Sequence, residues 1–248
     1  MNGIKLTGVC VLACVALGWS ASTFAGAWAG SATNSEPRKH DELITGSSTF
    51  LEGHPDLRHR NHGITAFRAG EYLDAQRHFM RAAHFADKPS QAVYAEMLWD
   101  GIGVVQDRAL AYAWMDLAAE RGMPVFVGKR ESYWGQLGEA ERARALELGK
   151  TVYAEYGDDV AKPRQERLMR VARRNVTGSR VGMIGALTIE FPGPGGGHVI
   201  DGEQLYADEL WVPERYWAWQ EATTERALRT TIHVGDFEQS QQPRPAGD

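Results

Sequence analysis

Cysteine is nearly missing from this sequence. Of 248 residues only two are cysteine, Cys10 and Cys14. The long remainder of the chain can therefore hold no disulfide of its own, no thiolate metal site and no thiol nucleophile. Basic charge also falls short. Lys and Arg number 27 against 32 Asp and Glu, for a formal net charge of −5, without the basic excess that nucleic-acid binding draws on. The most apolar stretch, Leu6 to Trp19, is shorter than the roughly 20 residues that span a bilayer. Reaction signatures are missing too. The chain has no Gly-x-Ser-x-Gly elbow, no Ser-x-x-Lys and no His-Glu-x-x-His, which removes the common serine-hydrolase, penicillin-interacting and zinc-peptidase patterns. The glycines at 195–197 are not a phosphate loop, because no Lys-Ser or Lys-Thr follows and Pro192 and Pro194 interrupt them. No catalytic residue, cofactor or metal is expected from these motifs.

What is present begins with an address. Residues 1–29 contain one basic residue, Lys5, and no acidic one. The apolar stretch follows, then small residues with overlapping Ala25-Gly-Ala27 and Ala27-Trp-Ala29 cleavage patterns. That order is the one a secretory signal peptide requires. The expectation is a cleaved signal and a periplasmic or secreted protein without a transmembrane span; an uncleaved N-terminal anchor is the simplest contrary case. Val11-Leu12-Ala13-Cys14 is a poor lipobox, and a lipoprotein anchored at Cys14 is a further alternative.

Residues 30–62 are rich in Ser, Asn, His, Pro and charge and read as a polar linker. His54, His59 and His62 lie close together in it. Histidine is a common metal ligand, but no carboxylate or cysteine completes a ligand spacing, so the tract reads as solvated.

From 63 to about 175 the pattern is helical and repeats. Ala75, Phe79, Ala82, Ala83 and Ala86 are matched 36 residues later by Ala111, Met115, Ala118, Ala119 and Gly122. Each set falls on one helix face, and small residues there let a paired helix approach closely. A further step of 36 reaches Ala154, but the other positions do not recur, so a third unit would be degenerate. In the second unit, 91–100 predicts a first helix and Gly101-Ile102-Gly103 a turn. Asp107 is placed to cap a second helix, which ends near Gly122 ahead of Pro124.

Trp99, Gly101, Gly103, Asp107, Ala111, Ala118, Ala119 and Gly122 stand in the order of a Sel1-like repeat, a relative of the tetratricopeptide repeat. The resemblance covers about 64–156 and is tightest over 91–122. It implies a mainly α fold, an α-solenoid of helical hairpins, and protein–protein interaction or scaffolding without reaction chemistry. These eight residues would be repeat-structural, and Tyr94, Tyr112 and Trp114 would be packing positions with Trp99.

Beyond the repeats, Pro163 suits the first turn of another helix. Arg167, Arg170 and Arg174 share one face of it, with Leu168, Met169 and Ala172 opposite. That face is either solvated or a docking site for an anionic partner. Residues 176–238 predict a small antiparallel β/α cap: a β-prone stretch over Val181 to Phe191, a hairpin turning at Asp201-Gly202 between His198-Val-Ile200 and Gln204-Leu-Tyr206, a helix from Pro213 to Ala227, and a strand from Thr230 to Val234. Residues 239–248 read as a disordered tail. Trp211, Tyr216, Trp217 and Trp219 form a dense aromatic patch that is either core or, if exposed, a surface for cell-wall glycan or a peptide. The leading expectation is a non-catalytic module that binds a protein, with Arg167, Arg170, Arg174, Trp211, Trp217 and Trp219 as candidate contacts. A peptidoglycan-binding module and a cell-envelope hydrolase are the alternatives.

Overall fold

The computed structural model describes residues 42–175, 188–191 and 198–239, with side chains described over 42–174 and 199–228. The expected signal segment, Cys14, Ala25 to Ala29 and the tail after Gln239 lie outside the described residues. The architecture is mainly helical, and no helix among the described residues is long and apolar enough to cross a membrane.

The chain order is α1 (Ser48–Gly53), α2 (Pro55–Arg68), α3 (Tyr72–Ala83), α4 (Lys88–Asp100), α5 (Arg108–Ala118), a 3-10 turn (Ala119–Arg121), α6 (Pro124–Gln136), α7 (Glu139–Tyr156) and α8 (Asp158–Asn175). Then come β1 (Thr188–Phe191), β2 (His198–Asp201), α9 (Gly202–Leu205), α10 (Asp208–Trp211) and α11 (Pro213–Gln239). Local chemistry sets many of these limits. The Asp107 carboxylate accepts the Leu110 N–H at 3.0 Å and starts α5, and Asp87 does the same for α4 through Ser90 at 3.0 Å. Helix α4 ends at Gly101 and the 3-10 turn at Gly122, both left-handed, where glycine carries no Cβ penalty.

Helices α2 and α3 form one hairpin and α4 and α5 a second; α3 packs on α4, and α5 packs on α6 and α7. The faces 36 residues apart are both interior. Ala75, Phe79, Ala82 and Ala83 are buried in α3, and Ala111, Met115, Ala118 and Ala119 are buried along α5 and its 3-10 turn. Gly63 of α2 lies so close to Phe79 that a Cβ there would sit 2.7 Å from the ring. In the third helical pair Val152 is buried, with Leu148, Tyr153 and Tyr156 packed against the same core, whereas Ala154 is exposed.

A second core joins the two ends of the described chain. Phe50, Leu57, Ala161, Met169, Ile200, Leu205, Trp211 and Tyr216 pack together. A Cβ on Gly53 would sit 2.6 Å from the Trp211 ring. The C-terminal segment thus packs on α1 as well as on α8.

Four expectations are corrected. The polar linker does not run to residue 62, because 42–45 are helical and α1 and α2 follow; the polar residues His54, Asp56 and Arg60 are buried there with partners from distant segments. Pro163 lies inside α8 and does not begin it; the helix starts earlier because Asp158 is held by Lys88, Arg121 and Lys162. No hairpin turns at Asp201-Gly202. The Asp201 carboxylate accepts the Glu203 N–H at 3.1 Å and caps α9, while β2 pairs antiparallel with β1, Ile189 opposite Ile200. Thr230 to Val234 is not a strand but part of α11, which continues the helix carrying buried Tyr216, Gln220, Thr224 and Leu228 at intervals of four.

Candidate functional site

Three regions gather functional side chains. The first is an open depression of about 280 Å³ lined by Arg170, Arg173 and Arg174 of α8 and by Trp211, Val212 and Pro213. Helix α8 buries Ala161, Gln165 and Met169 against the second core, and that orientation turns Arg167, Arg170 and Arg174 to the exposed side. Arg170 lies 3.7 Å from Glu166, and Arg173 donates to Asp208 at 2.9 Å. The expected arginine face is therefore on the exposed side of α8. Leu168 does not lie opposite it but is partly exposed at 36%, and Arg167 does not line the depression.

The tryptophans are placed differently from a binding patch. Trp211 is 1% exposed and Trp217 7%. Trp211 donates its indole N–H to Leu205 O at 2.7 Å, and Trp217 donates to Glu166 at 3.1 Å under the cations of Arg121 and Lys162. Trp219 is partly buried against the same core. Of the candidate contacts, Trp211 and Trp217 are core residues, Trp211 with an edge in the lining of the depression, and Trp219 leans on the same core. Trp211 and Trp217 leave no open ring face of the kind that glycan stacking uses.

The second region is a buried ionic junction. Lys88, fully buried, bonds to Leu117 O at 3.1 Å and pairs with Glu120 and with Asp158 at 3.0 Å. Asp158 takes a two-pronged bond from Arg121 at 2.7 and 3.0 Å, and Arg121 also reaches Ala86 O and Gln220. Burial pushes the Asp158 carboxyl up, but Arg121 and Lys88 hold it well below the usual range. Burial lowers Lys88. Beside them Asp56 accepts from Tyr216 and, at 2.9 Å, from Gln220, while Arg60 pairs with Asp87 at 3.0 Å. Burial, then the Asp87 charge, raises Asp56 to about 7. Asp56 and Asp87 are both wholly buried, so this carboxylate pair has no face for a substrate. It ties α2, α4 and α11 together.

The third region concerns the histidines. His54 is separate from the others: its ring stacks on Phe50 at 3.8 Å and its two nitrogens each lie 2.8 Å from a carbonyl, of Phe50 and of Leu210. His59 and His62 sit one turn apart on α2 and meet His78 of α3. Nδ1 of His59 is 3.3 Å from Nδ1 of His78, and each of the three rings offers a nitrogen within 4.8 Å of the others. The sequence tract showed two of these residues and no third ligand. His78 was missed because it lies on the neighbouring helix, and only the close approach at Gly63 and Phe79 would have pointed to it.

Trp99 stacks flat on Tyr133 at 3.8 Å with Arg108 over its other face. Tyr94 and Trp114 are buried, and Tyr112 packs partly buried against Trp134. Gly103 allows Tyr72 to pass, since a Cβ there would sit 2.1 Å from the Tyr72 Cβ. Asp107, besides capping α5, takes both guanidinium nitrogens of Arg144 at 2.6 Å.

Comparison of the chain with family models, curated proteins and solved structures finds no match.

Proposed function

We propose that the chain is a non-catalytic protein-interaction module of the Sel1-like kind, acting in the periplasm or outside the cell. Its hairpins α2–α3 and α4–α5 stack as a short solenoid, and the arginine depression on α8 takes an acidic segment of a partner protein. The observation that carries the reading is the convergence of Arg170, Arg173 and Arg174 over the apolar floor of Trp211, Val212 and Pro213. Guanidinium groups pair with carboxylates in a planar two-pronged geometry, and an apolar floor rewards a side chain that accompanies the acid. The 36-residue repeat of alanine faces supports the stacked architecture, because such hairpins bury their faces only against neighbours. The ionic junction locks the arrangement and leaves the depression on a firm base.

The test is binding of a fluorescent Glu-rich peptide followed by anisotropy at low and moderate salt. Replacing Arg170 and Arg174 together by Glu should weaken binding at least tenfold and abolish its salt dependence, with the circular dichroism unchanged. Equal binding by the wild type and the double variant would remove the proposal.

A further inference from the structure

The geometry points to a binding site for a divalent transition-metal ion, such as Zn²⁺, formed by His59, His62 and His78. Two ligand nitrogens on a tetrahedral ion with bonds of 2.0–2.1 Å are separated by about 3.3 Å. The Nδ1 atoms of His59 and His78 are 3.3 Å apart. In the metal-free protein one Nδ1 can donate to the other, according to tautomer; the same spacing lets both nitrogens turn their lone pairs on a shared cation. His62 completes the set. It is one turn from His59 on the same face of α2, its ring is 5.2 Å from that of His78, and it is exposed, so rotation about its side-chain bonds can draw its nitrogen in from within 4.8 Å.

The fold builds this meeting point. Gly63, next to His62, lets α2 approach α3 against Phe79, next to His78. A larger residue at 63 would separate the two helices at the level of the imidazoles. The surroundings of His59 and His78 favour the neutral imidazole that binds a metal. Burial, then Arg58, His78 and Arg81, lowers His59 to about 4; burial, His62 and Arg81 lower His78 against the pull of Asp74. Arg58 and Arg81 also repel a dication, which sets this site apart from carboxylate-rich cation sites and selects a metal that bonds strongly to imidazole nitrogen. With three protein ligands and an exposed rim, a fourth position faces solvent, where water or a side chain from another molecule can bind. The site is independent of the arginine depression.

The experiment is a Zn²⁺ titration of chelator-stripped protein in competition with a chromophoric chelator, repeated with Co²⁺ to read the intense visible bands of tetrahedral coordination. One equivalent should bind. His62→Ala and His78→Ala should each weaken affinity at least tenfold, and His84→Ala, outside the trio, should leave it unchanged. His62 is exposed, so its variant keeps the fold, and circular dichroism checks all three. Sub-stoichiometric binding, unchanged affinity in His62→Ala, or loss of binding in His84→Ala would each overturn the three-histidine site.

Discussion

Ala86 and Gly122 lie at equivalent repeat positions and share a left-handed backbone, with φ of 64° and 73°. Ala86 is the one non-glycine residue with positive φ among the described residues. Each follows an alanine-lined helix, α3 or the 3-10 end of α5, and redirects the chain toward the next helix. The repeat is therefore a repeat of backbone shape as well as of side-chain pattern, and its two copies solve the same turn with different residues.

Gly122→Ala should cost about 1 kcal/mol, from left-handed strain alone, because nothing lies within 4 Å of the added Cβ. Ala86→Gly should be nearly neutral. It relieves a similar strain but removes a fully buried methyl worth about 0.8 kcal/mol. Urea unfolding midpoints of the two variants check this. A large loss in Ala86→Gly would mean that its methyl matters more than its backbone.

Gly103→Ala should be the more damaging glycine replacement. The strain is the same in kind, with φ of 69°, but the Cβ would also collide with Tyr72 at 2.1 Å. Strain and overpacking together amount to about 2–4 kcal/mol. Pairing it with Tyr72→Ala, which keeps the Cβ, should recover little, since the clash is with Cβ itself; Tyr72→Gly should recover more. Thermal melts of the three variants would show whether the ordering holds.

The faces and limits of α3 to α5 were largely legible in the sequence, because their signals are local. The 36-residue spacing, the Asp107 cap and the left-handed stops at Gly101 and Gly122 each depend on residues within one or two turns. The segment at 42–62 was not legible. Its polar residues look solvated until their partners arrive from far along the chain: Leu210 O for His54, Tyr216 and Gln220 for Asp56, Asp87 for Arg60. The same limit hid His78 from the histidine tract. Asp201-Gly202 failed for another reason. Aspartate favours a helix N-cap as much as a turn, and here the cap won. For the candidate contacts, the arginine face could be read from spacing, while the burial of Trp211 and Trp217 depends on α1 and on the ionic junction.

Lys88→Met should destabilise the fold by about 3–5 kcal/mol, the usual loss when one partner of a buried ion pair is removed. Lys88 is fully buried between Glu120 and Asp158, and its loss leaves the Leu117 carbonyl without that donor. Lys150→Met offers the contrast. Its pair with Glu147 is more than two-thirds exposed on both sides and should cost under about 1 kcal/mol. Denaturant unfolding of both variants decides the matter; equal effects would show that the junction is not a buried lock.

The pH dependence of stability should carry the mark of Asp56. Its folded carboxyl is raised to about 7 from 3.8, by burial first and then by the Asp87 charge. A raised acid binds its proton more tightly in the folded state, so its contribution is fully present below the unfolded pKa and is lost as pH rises through the folded one. The window runs from about 4 to about 7. Asp56→Asn keeps an acceptor for Tyr216 and Gln220 while removing the ionisation. Its stability relative to wild type should therefore improve steadily as pH rises across that window and level off above it. His54 acts oppositely over part of the same range: burial lowers it to about 4, so its contribution fades as pH falls below 6.5. Because His54 is unchanged in the variant, subtracting the two urea-unfolding profiles isolates Asp56. A difference that stays flat from pH 4 to 7 would show that Asp56 is ionised throughout, with Arg60 and the two hydrogen bonds outweighing the cost of burying its charge.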